Sequence, residues 1–139
     1  MDINSILLLS IKPQFVKLIA NKEKNYEFRR YKPKRDISTI VVYTSSPTRE
    51  IRYILDIDTI IKYPQQIDEN GIGNSDFNKG KKKSIYAYRI KHVYELEKSV
   101  SLSILKEKFG FNPPQRYIYG DNMPELIKFV SNINKRRII

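Results

Sequence analysis

Apolar runs and alternations along the chain predict the main strands of a sheet. The stretch Ile6 to Ile11 is almost entirely apolar, which is typical of a strand buried on both faces. Ile40 to Tyr43 is short and β-branched, and Ile85 to Tyr94 alternates aromatic with charged residues. Ile51 to Ile61 predicts a long half-buried strand whose apolar face consists of Ile51, Tyr53, Leu55, Ile57 and Ile61.

Three segments carry the spacing and the terminal residues of short helices. One helix is predicted from Pro13 to about Asn21, because proline suits a first turn. A second is predicted between Ser101 as its N-terminal cap and Gly110 as its stop. A third follows a capping box made of Asn122 and Glu125. The apolar faces expected to reach the core are Phe15, Leu18 and Ile19, then Leu102, Leu105 and Phe109, and then Leu126, Ile127 and Val130.

The connecting segments are polar and contain proline or glycine. Tyr31 to Asp36 predicts a basic loop, and Thr44 to Thr48 predicts a turn rich in hydroxyl groups. Tyr63 to Lys83 predicts an excursion from the sheet with room for a short helix. Pro113 to Gly120 predicts a turn into the last short strand, and the basic tail Lys135 to Arg137 is expected to be loose. This order of elements predicts an α+β protein, a small β-barrel flanked by short helices.

Composition narrows the class of protein. The chain has 139 residues, 40% of them apolar, so we expect one domain over residues 1–139. It has no cysteine and one histidine, His92, which leaves zinc sites, cysteine nucleophiles and serine–histidine triads little to build on. We expect no cofactor and no metal, and we interpret His92 as a strand residue. Because no apolar run approaches the roughly 18 residues of a membrane span, we expect a cytoplasmic protein without membrane association.

The net charge points to an anionic partner. The chain carries 26 Lys and Arg against 15 Asp and Glu, a formal charge of +11 on 16.5 kDa. Nucleic acid is the first candidate for such a surface. A genome-wide coding bias is the alternative, because the abundance of Ile, Lys and Asn fits it as well.

The segment Lys22 to Arg30, which reads KEKNYEFRR, is the main candidate for a site. With a period of two, Tyr26 and Phe28 face one way and the polar side chains the other, with Lys24 at the entrance. An edge strand would have little use for this pattern, whereas a strand that lines a cleft needs aromatic anchors behind and polar groups in front. The polar side chains of this face are Asn25, Glu27 and Arg29.

Glu27 and Arg29 are expected to form a preorganised pair in this cleft. A carboxylate held by a guanidinium can accept a base edge, while the guanidinium fork grips phosphate and Lys24 adds a point charge. The alternative is a structural ion pair at a strand end, which is common in proteins. Further candidates for RNA contact are basic, hydroxyl or aromatic side chains, namely Arg30, Lys32, Lys34, Arg35, Lys81, Lys82 and Lys83, then Ser45 and Ser46, and then Tyr117 and Tyr119.

The N-terminal residues resemble those of the ASCH family, a branch of the PUA-like superfamily. LLSIKPQFVKLI, from Leu8 to Ile19, precedes a match to the family motif G-x-K-x-x-E-x-R, in which Lys24, Glu27 and Arg29 hold the K, E and R positions. Lys22 stands where the motif has glycine, so a side chain occupies that turn. Three later segments fit the family in the same order, namely Arg35 to Pro47, Tyr86 to Val93 and Pro113 to Tyr119.

The resemblance implies a PUA-like β-barrel whose cleft binds RNA, with a regulatory role in translation or RNA metabolism as one form of that function. Some relatives are ribonucleases, or amidohydrolases that remove the acetyl group from acetylcytidine. In the amidohydrolases a threonine nucleophile lies three residues after the motif lysine, where this chain has Glu27. A carboxylate cannot play the role of that hydroxyl, so the resemblance does not extend that activity to this chain.

Two alternatives to RNA recognition stay open at the level of sequence. A hydrolase acting on RNA or a modified nucleoside would use Lys24 and Glu27 as candidate catalytic residues, and it would require a lowered pKa for Lys24. A protein-interaction module with a basic surface would bind nucleic acids without selectivity and without help from the motif. We expect RNA as the partner and a monomer, although the sequence leaves the oligomeric state undetermined.

Overall fold

The computed structural model describes residues 2–139, which form seven strands and four α-helices. The strands are β1 (Ile6–Ile11), β2 (Tyr26–Arg29), β3 (Thr39–Thr44), β4 (Glu50–Lys62), β5 (Tyr86–Ser101), β6 (Ile118–Tyr119) and β7 (Lys135–Arg137). The helices are α1 (Pro13–Ala20), α2 (Asn74–Asn78), α3 (Leu102–Phe109) and α4 (Pro124–Ser131). Two 3₁₀ turns cover Ile3–Ser5 and Gly120–Asn122. No helix in residues 2–139 is both long and apolar enough to span a bilayer.

The strands form one mixed, curled sheet in the order β2-β5-β4-β3-β1-β6, and β7 pairs with β5 beside β2. Only the β1–β3 pair is parallel among the described strands, and β5 is long enough to pair with β2, β4 and β7. The curl brings β2 across from β1. The Arg29 guanidinium of β2 donates to the Ser10 carbonyl of β1 over 2.8 Å. This half-barrel with short helices confirms the predicted α+β class.

The core lies on both faces of the central strands. In β1, Ile6 and Leu8 pack on the side of α3 and α4, whereas Leu7 and Leu9 pack on the side of α1. The predicted strand buried on both faces is therefore confirmed. Tyr88 of β5 is fully buried on the α1 side, and its hydroxyl donates to the Tyr31 carbonyl over 2.7 Å, which ties the basic loop to the barrel.

Bulges overturn the predicted single apolar face of β4. Its pairing with β5 shifts between Ile51 and Tyr53 and again near Ile57. As a result Ile51 packs on the side of α3 and α4, whereas Tyr53, Leu55 and Ile57 pack on the opposite side. An inserted residue in one strand reverses the alternation beyond it, so the two-residue period was right for Tyr53, Leu55 and Ile57 and wrong for Ile51.

The helix boundaries were predicted well, and their caps only in part. Ser101 does cap α3 by accepting from the Ile104 amide, and Gly110 ends that helix at a φ of 63°. Asn122 does not cap α4, because Met123 holds the N-cap position and makes no side-chain capping bond. Phe15 of α1 is 41% exposed instead of reaching the core.

Three further predictions about strands need correction. The KEKNYEFRR strand is shorter than predicted, since only Tyr26–Arg29 is extended and paired. β2 is an edge of the main sheet order, and it nevertheless lines a cleft. The segment Lys135–Arg137 is not loose, because it pairs with β5 as the last strand, a role predicted for the segment before Gly120. His92 lies in β5, as expected.

Candidate functional site

A cleft lies where the curled sheet stays open, between the C-terminal end of β1 and the edge strand β2. It has a volume of about 570 Å³, larger than the apolar cavity of about 410 Å³ on the α3–α4 side of the molecule. β1 and α1 form one wall, and β2 with the start of the basic loop forms the other. The lining residues are Ser10, Ile11, Lys12, Phe15, Glu27, Phe28, Arg29, Arg30, Tyr31, Ser45, Ser84 and Gln115.

A buried cluster of three charges supports the β2 wall. Arg29 donates to Glu27 Oε2 through Nε at 2.9 Å and lies within 2.8 Å of it through Nη2. Lys24 Nζ is 3.5 Å from the other carboxylate oxygen, Glu27 Oε1. The side chains of Lys24 and Glu27 are each 7% exposed, so this carboxylate is shielded from water and held by two cations. The cluster carries a net charge of +1.

Arg29 connects this cluster to both walls of the cleft. Besides Glu27, its guanidinium donates to the Ser10 carbonyl of β1 and, over 3.3 Å, to the Tyr31 hydroxyl. The Tyr31 hydroxyl donates in turn to the Arg116 carbonyl over 2.8 Å. Such a chain of charge-assisted bonds fixes the relative position of segments that are distant in sequence.

The pKa values of the two cations are shifted in opposite directions. Burial lowers the pKa of Lys24, and the nearby carboxylate of Glu27 offsets only part of that effect, while Lys82 and Arg29 lower it further. Burial also opposes the charge on Arg29, but attraction to Glu27 and contact with Tyr31 hold its pKa above the ordinary value. Arg29 is thus a permanent cation, whereas Lys24 is the residue whose proton is easiest to remove.

Lys24 lies behind the cleft wall and not on its surface. Its Nζ is 4.5 Å from the centroid of the Phe28 ring and 5.7 Å from that of Phe15. It lines a separate cavity of about 280 Å³ together with Ile19 and Ile139. Lys24 therefore contacts Glu27 without being one of the residues that line the cleft.

The structure brings together only some of the site residues predicted from the sequence. Glu27, Arg29, Arg30 and Ser45 line the cleft. Lys82 reaches the Phe28 ring at 4.5 Å from its centroid, near Lys24. The remaining basic and hydroxyl candidates are exposed and do not line the cleft, namely Lys32, Lys34, Arg35, Ser46, Lys81 and Lys83.

Several lining residues were not among the sequence candidates. Phe15 had the spacing of a core residue, and Phe28 was assigned to the packed face behind the site. Ser10 lies in the apolar run of β1, so nothing in the sequence marked it as a site residue. Its hydroxyl is nevertheless one of three buried side-chain atoms without a hydrogen-bond partner in residues 2–139. The others come from four different segments, namely Ile11 and Lys12, Tyr31, Ser84, and Gln115. Only knowledge of the fold could have grouped them.

The backbone conformation of Lys22 accounts for the glycine that the family motif has at this position. Its φ is 66°, in the left-handed region that favours glycine. The turn places Lys24 under the sheet edge, and the backbone amides of Glu23 and Lys24 both donate to the Leu18 carbonyl at the end of α1. The turn therefore needs a backbone conformation that a glycine adopts freely, and a lysine occupies it at a cost in stability.

The structure offers no assembled metal site. Within residues 2–139, no three His, Asp or Glu side chains converge as metal ligands. The cleft instead combines guanidinium and ammonium groups with hydroxyls and aromatic rings, a set suited to an anion that carries a planar group.

Solved structures of ASCH proteins share this fold. The ASCH protein from Zymomonas mobilis superposes with a TM-score of 0.69 at 22% identity, over 94% of this chain and 97% of that one. A tyrosine-to-phenylalanine mutant of the Zymomonas mobilis protein gives a TM-score of 0.70 at 21% identity, over 94% and 99% of the two chains. Its serine-to-alanine mutant gives 0.68 at 20% identity, over 96% and 100%. No family model and no curated protein matches the chain. This chain thus has the ASCH fold that the sequence motif predicted.

Proposed function

We propose that this chain is an ASCH-domain protein that binds RNA, and that the cleft beside the Lys24–Glu27–Arg29 cluster receives a nucleotide of a single strand. The observation that carries the proposal is the buried cluster itself. It holds a guanidinium at the wall of a cleft whose charged lining residues outside the cluster, Lys12 and Arg30, are basic. The fold shared with the ASCH structures also supports RNA as the ligand.

Charge makes an anion the natural occupant. Glu27 is the one carboxylate among the lining residues, and two cations already hold it. Lys12, Arg29 and Arg30 present positive charge to the cleft. A phosphate there would gain charge-assisted hydrogen bonds, and its binding would weaken as salt rises.

The aromatic side chains make an unpaired nucleotide more suitable than a simple anion. Phe15, Phe28 and Tyr31 line the same cleft, and Phe15 is 41% exposed. Unpaired bases stack on such rings, each contact contributing about 1–3 kcal/mol, and a base in a duplex cannot offer its face in this way. Ser10, Ser45 and Ser84 add hydroxyls that can bond to sugar or base edges.

Replacing Phe15 tests this proposal without disturbing the core. We expect Phe15→Ala to weaken binding of a labelled single-stranded RNA about tenfold, because a stacking surface is lost. Ile104→Ala is the matched control, since Ile104 is also an exposed apolar helix residue, at 39%, and lies outside the cleft. Affinities for single-stranded RNA, structured RNA and duplex DNA should be measured at two salt concentrations for all three proteins.

The result can also contradict the proposal. Equal affinities for the three nucleic acids, with no difference between Phe15→Ala and Ile104→Ala, would mean that binding is a nonspecific effect of the net charge. A preference for single-stranded RNA that only Phe15→Ala reduces would place recognition in the cleft.

A second candidate function, hydrolysis of RNA or of a modified nucleoside, is favoured by the lowered pKa of Lys24. A lysine whose pKa is lowered loses its proton more readily than an ordinary lysine and can then act as a general base. Against this, Lys24 is only 7% exposed and does not line the cleft. If the RNA is shortened during incubation with the wild type and stays intact with Lys24→Met, the protein is an enzyme.

A further inference from the structure

A row of aromatic rings and guanidinium groups leads away from the cleft. It begins at Tyr31, whose ring centroid is 5.5 Å from that of Tyr117, and Tyr117 is 5.2 Å from Tyr119. The guanidinium carbon of Arg116 lies 4.3 Å from the Tyr31 centroid, and that of Arg35 lies 4.0 Å from the Tyr119 centroid. We call these five residues the tyrosine–arginine ladder.

The ladder is joined mechanically to the site. The Tyr31 hydroxyl accepts from Arg29 and donates to the Arg116 carbonyl, so the first rung is fixed to the buried cluster. At the far end Asp121 forms an ion pair with Arg35, which holds that guanidinium over Tyr119. The three tyrosines are only partly buried, and both arginines are exposed.

These features differ from those of ordinary core packing or a solvated charge. A core tyrosine such as Tyr88 is fully buried, whereas the ladder combines partly exposed rings with exposed guanidinium groups on consecutive positions of one surface. Each ladder arginine has one face toward a tyrosine and keeps part of its surface in water, so it can still receive a planar group on its outer side. Bases stack on guanidinium planes as well as on aromatic rings.

We propose that the tyrosine–arginine ladder extends the cleft and holds the next nucleotides of a single-stranded RNA whose first nucleotide occupies the cleft. The inference rests on the proposed function. The outer sides of Arg116 and Arg35 can each receive a base, and the partly exposed Tyr117 ring, which lies edge-on to Tyr119, is between them. The two arginines of the ladder also attract the phosphates between them, while its rings do not distinguish one base from another.

RNA suits this surface better than an acidic protein. An acidic peptide would be attracted by the arginines, but it does not carry a planar group at every residue to lie against the guanidinium groups and the partly exposed rings. A strand of unpaired nucleotides carries a planar base and a negative charge at every step. We therefore expect affinity to rise with the length of the RNA until the ladder is filled.

Oligouridylates of one to six nucleotides provide the test. For the wild type we expect affinity to rise about tenfold or more from one to four nucleotides and then to level off. In Arg35→Lys/Arg116→Lys, which keeps both charges but removes both guanidinium planes, that gain should shrink to about twofold while binding of the single nucleotide is retained. Arg136→Ala/Arg137→Ala is the control, because both residues are exposed on β7 and Arg136 also pairs with a carboxylate, Glu95.

The outcomes separate this inference from the proposed function. If the lysine variant keeps the wild-type gain with length, the ladder does not hold RNA, although the cleft still binds a nucleotide. If the β7 control loses as much of the gain as the lysine variant, arginines outside the ladder contribute as much as those within it, and the inference is wrong. If the wild type binds no oligouridylate of any length, the proposed function fails and the ladder inference fails with it.

Discussion

At the scale of single residues, Glu27 organises the site without being free to read a ligand. Both of its oxygens are engaged, one by Arg29 and one by Lys24, and the side chain is 7% exposed. The sequence predicted this triad, because the K-x-x-E-x-R spacing places all three side chains within reach of one another. It could not predict that Arg29 would also bond to the Ser10 carbonyl, since that contact depends on the curl of the sheet.

Because Glu27 holds both cations, replacing it should destabilise the protein more than replacing Lys24. Glu27→Gln should lower the free energy of unfolding by about 3 kcal/mol, because it leaves two buried cations without a countercharge. Lys24→Met should lower it by less than about 1 kcal/mol, because Glu27 keeps Arg29 and a buried ammonium no longer needs desolvation. Urea denaturation of both variants measures the difference. Similar losses for the two would show that Glu27 does not hold the cluster together.

The turn before the triad makes a separate prediction. Lys22→Gly should raise the free energy of unfolding by about 1 kcal/mol, because Lys22 has a φ of 66° and a glycine adopts that backbone without strain. The same substitution at Lys17, an exposed position within α1, should lower stability by about 1 kcal/mol. Thermal or urea unfolding compares the two. A loss of stability in Lys22→Gly would mean that the side chain of Lys22 makes a contact that matters.

At the scale of elements, the local sequence predicted helices and strands correctly where a single feature, such as an apolar run or a capping residue, identified the element. The apolar run of β1 and the Ser101 and Gly110 boundaries of α3 were predicted correctly for this reason. The alternation of β4 failed at its bulges, and the tail was taken as loose although β7 pairs with β5. Both errors concern partner strands, whose register is not written in the local pattern.

The two predicted caps give a matched test at this scale. Ser101→Ala should lower the free energy of unfolding by about 1 kcal/mol, because the Ser101 hydroxyl accepts from the Ile104 amide. Asn122→Ala should change it by less than about 0.5 kcal/mol, because Met123 and not Asn122 precedes α4 as its cap. Both values come from urea denaturation. A larger effect at Asn122 would contradict the observed start of α4.

At the scale of the whole molecule, the cleft exists because the curled sheet does not close. β2 and β1 are separated by three strands in the sheet order, yet Arg29 bridges them. The fold class was predicted from the order of elements and from the motif. The set of residues that line the cleft was not, because Lys12 and Phe15, Ser84, and Gln115 come from three segments that are far apart in sequence and meet only through this curl.

A map of where RNA contacts the protein is the most direct test of the cleft as the RNA-binding site. A ¹H–¹⁵N NMR titration with a short oligouridylate should shift the backbone signals of Ser10, Arg29, Tyr31 and Ser84 first, since these residues line the cleft. Signals of α3, which lies on the other side of the sheet, should stay unchanged. Shifts that leave the cleft unaffected and spread over exposed lysines, or that are confined to β7, would contradict the claim that the cleft is the RNA-binding site.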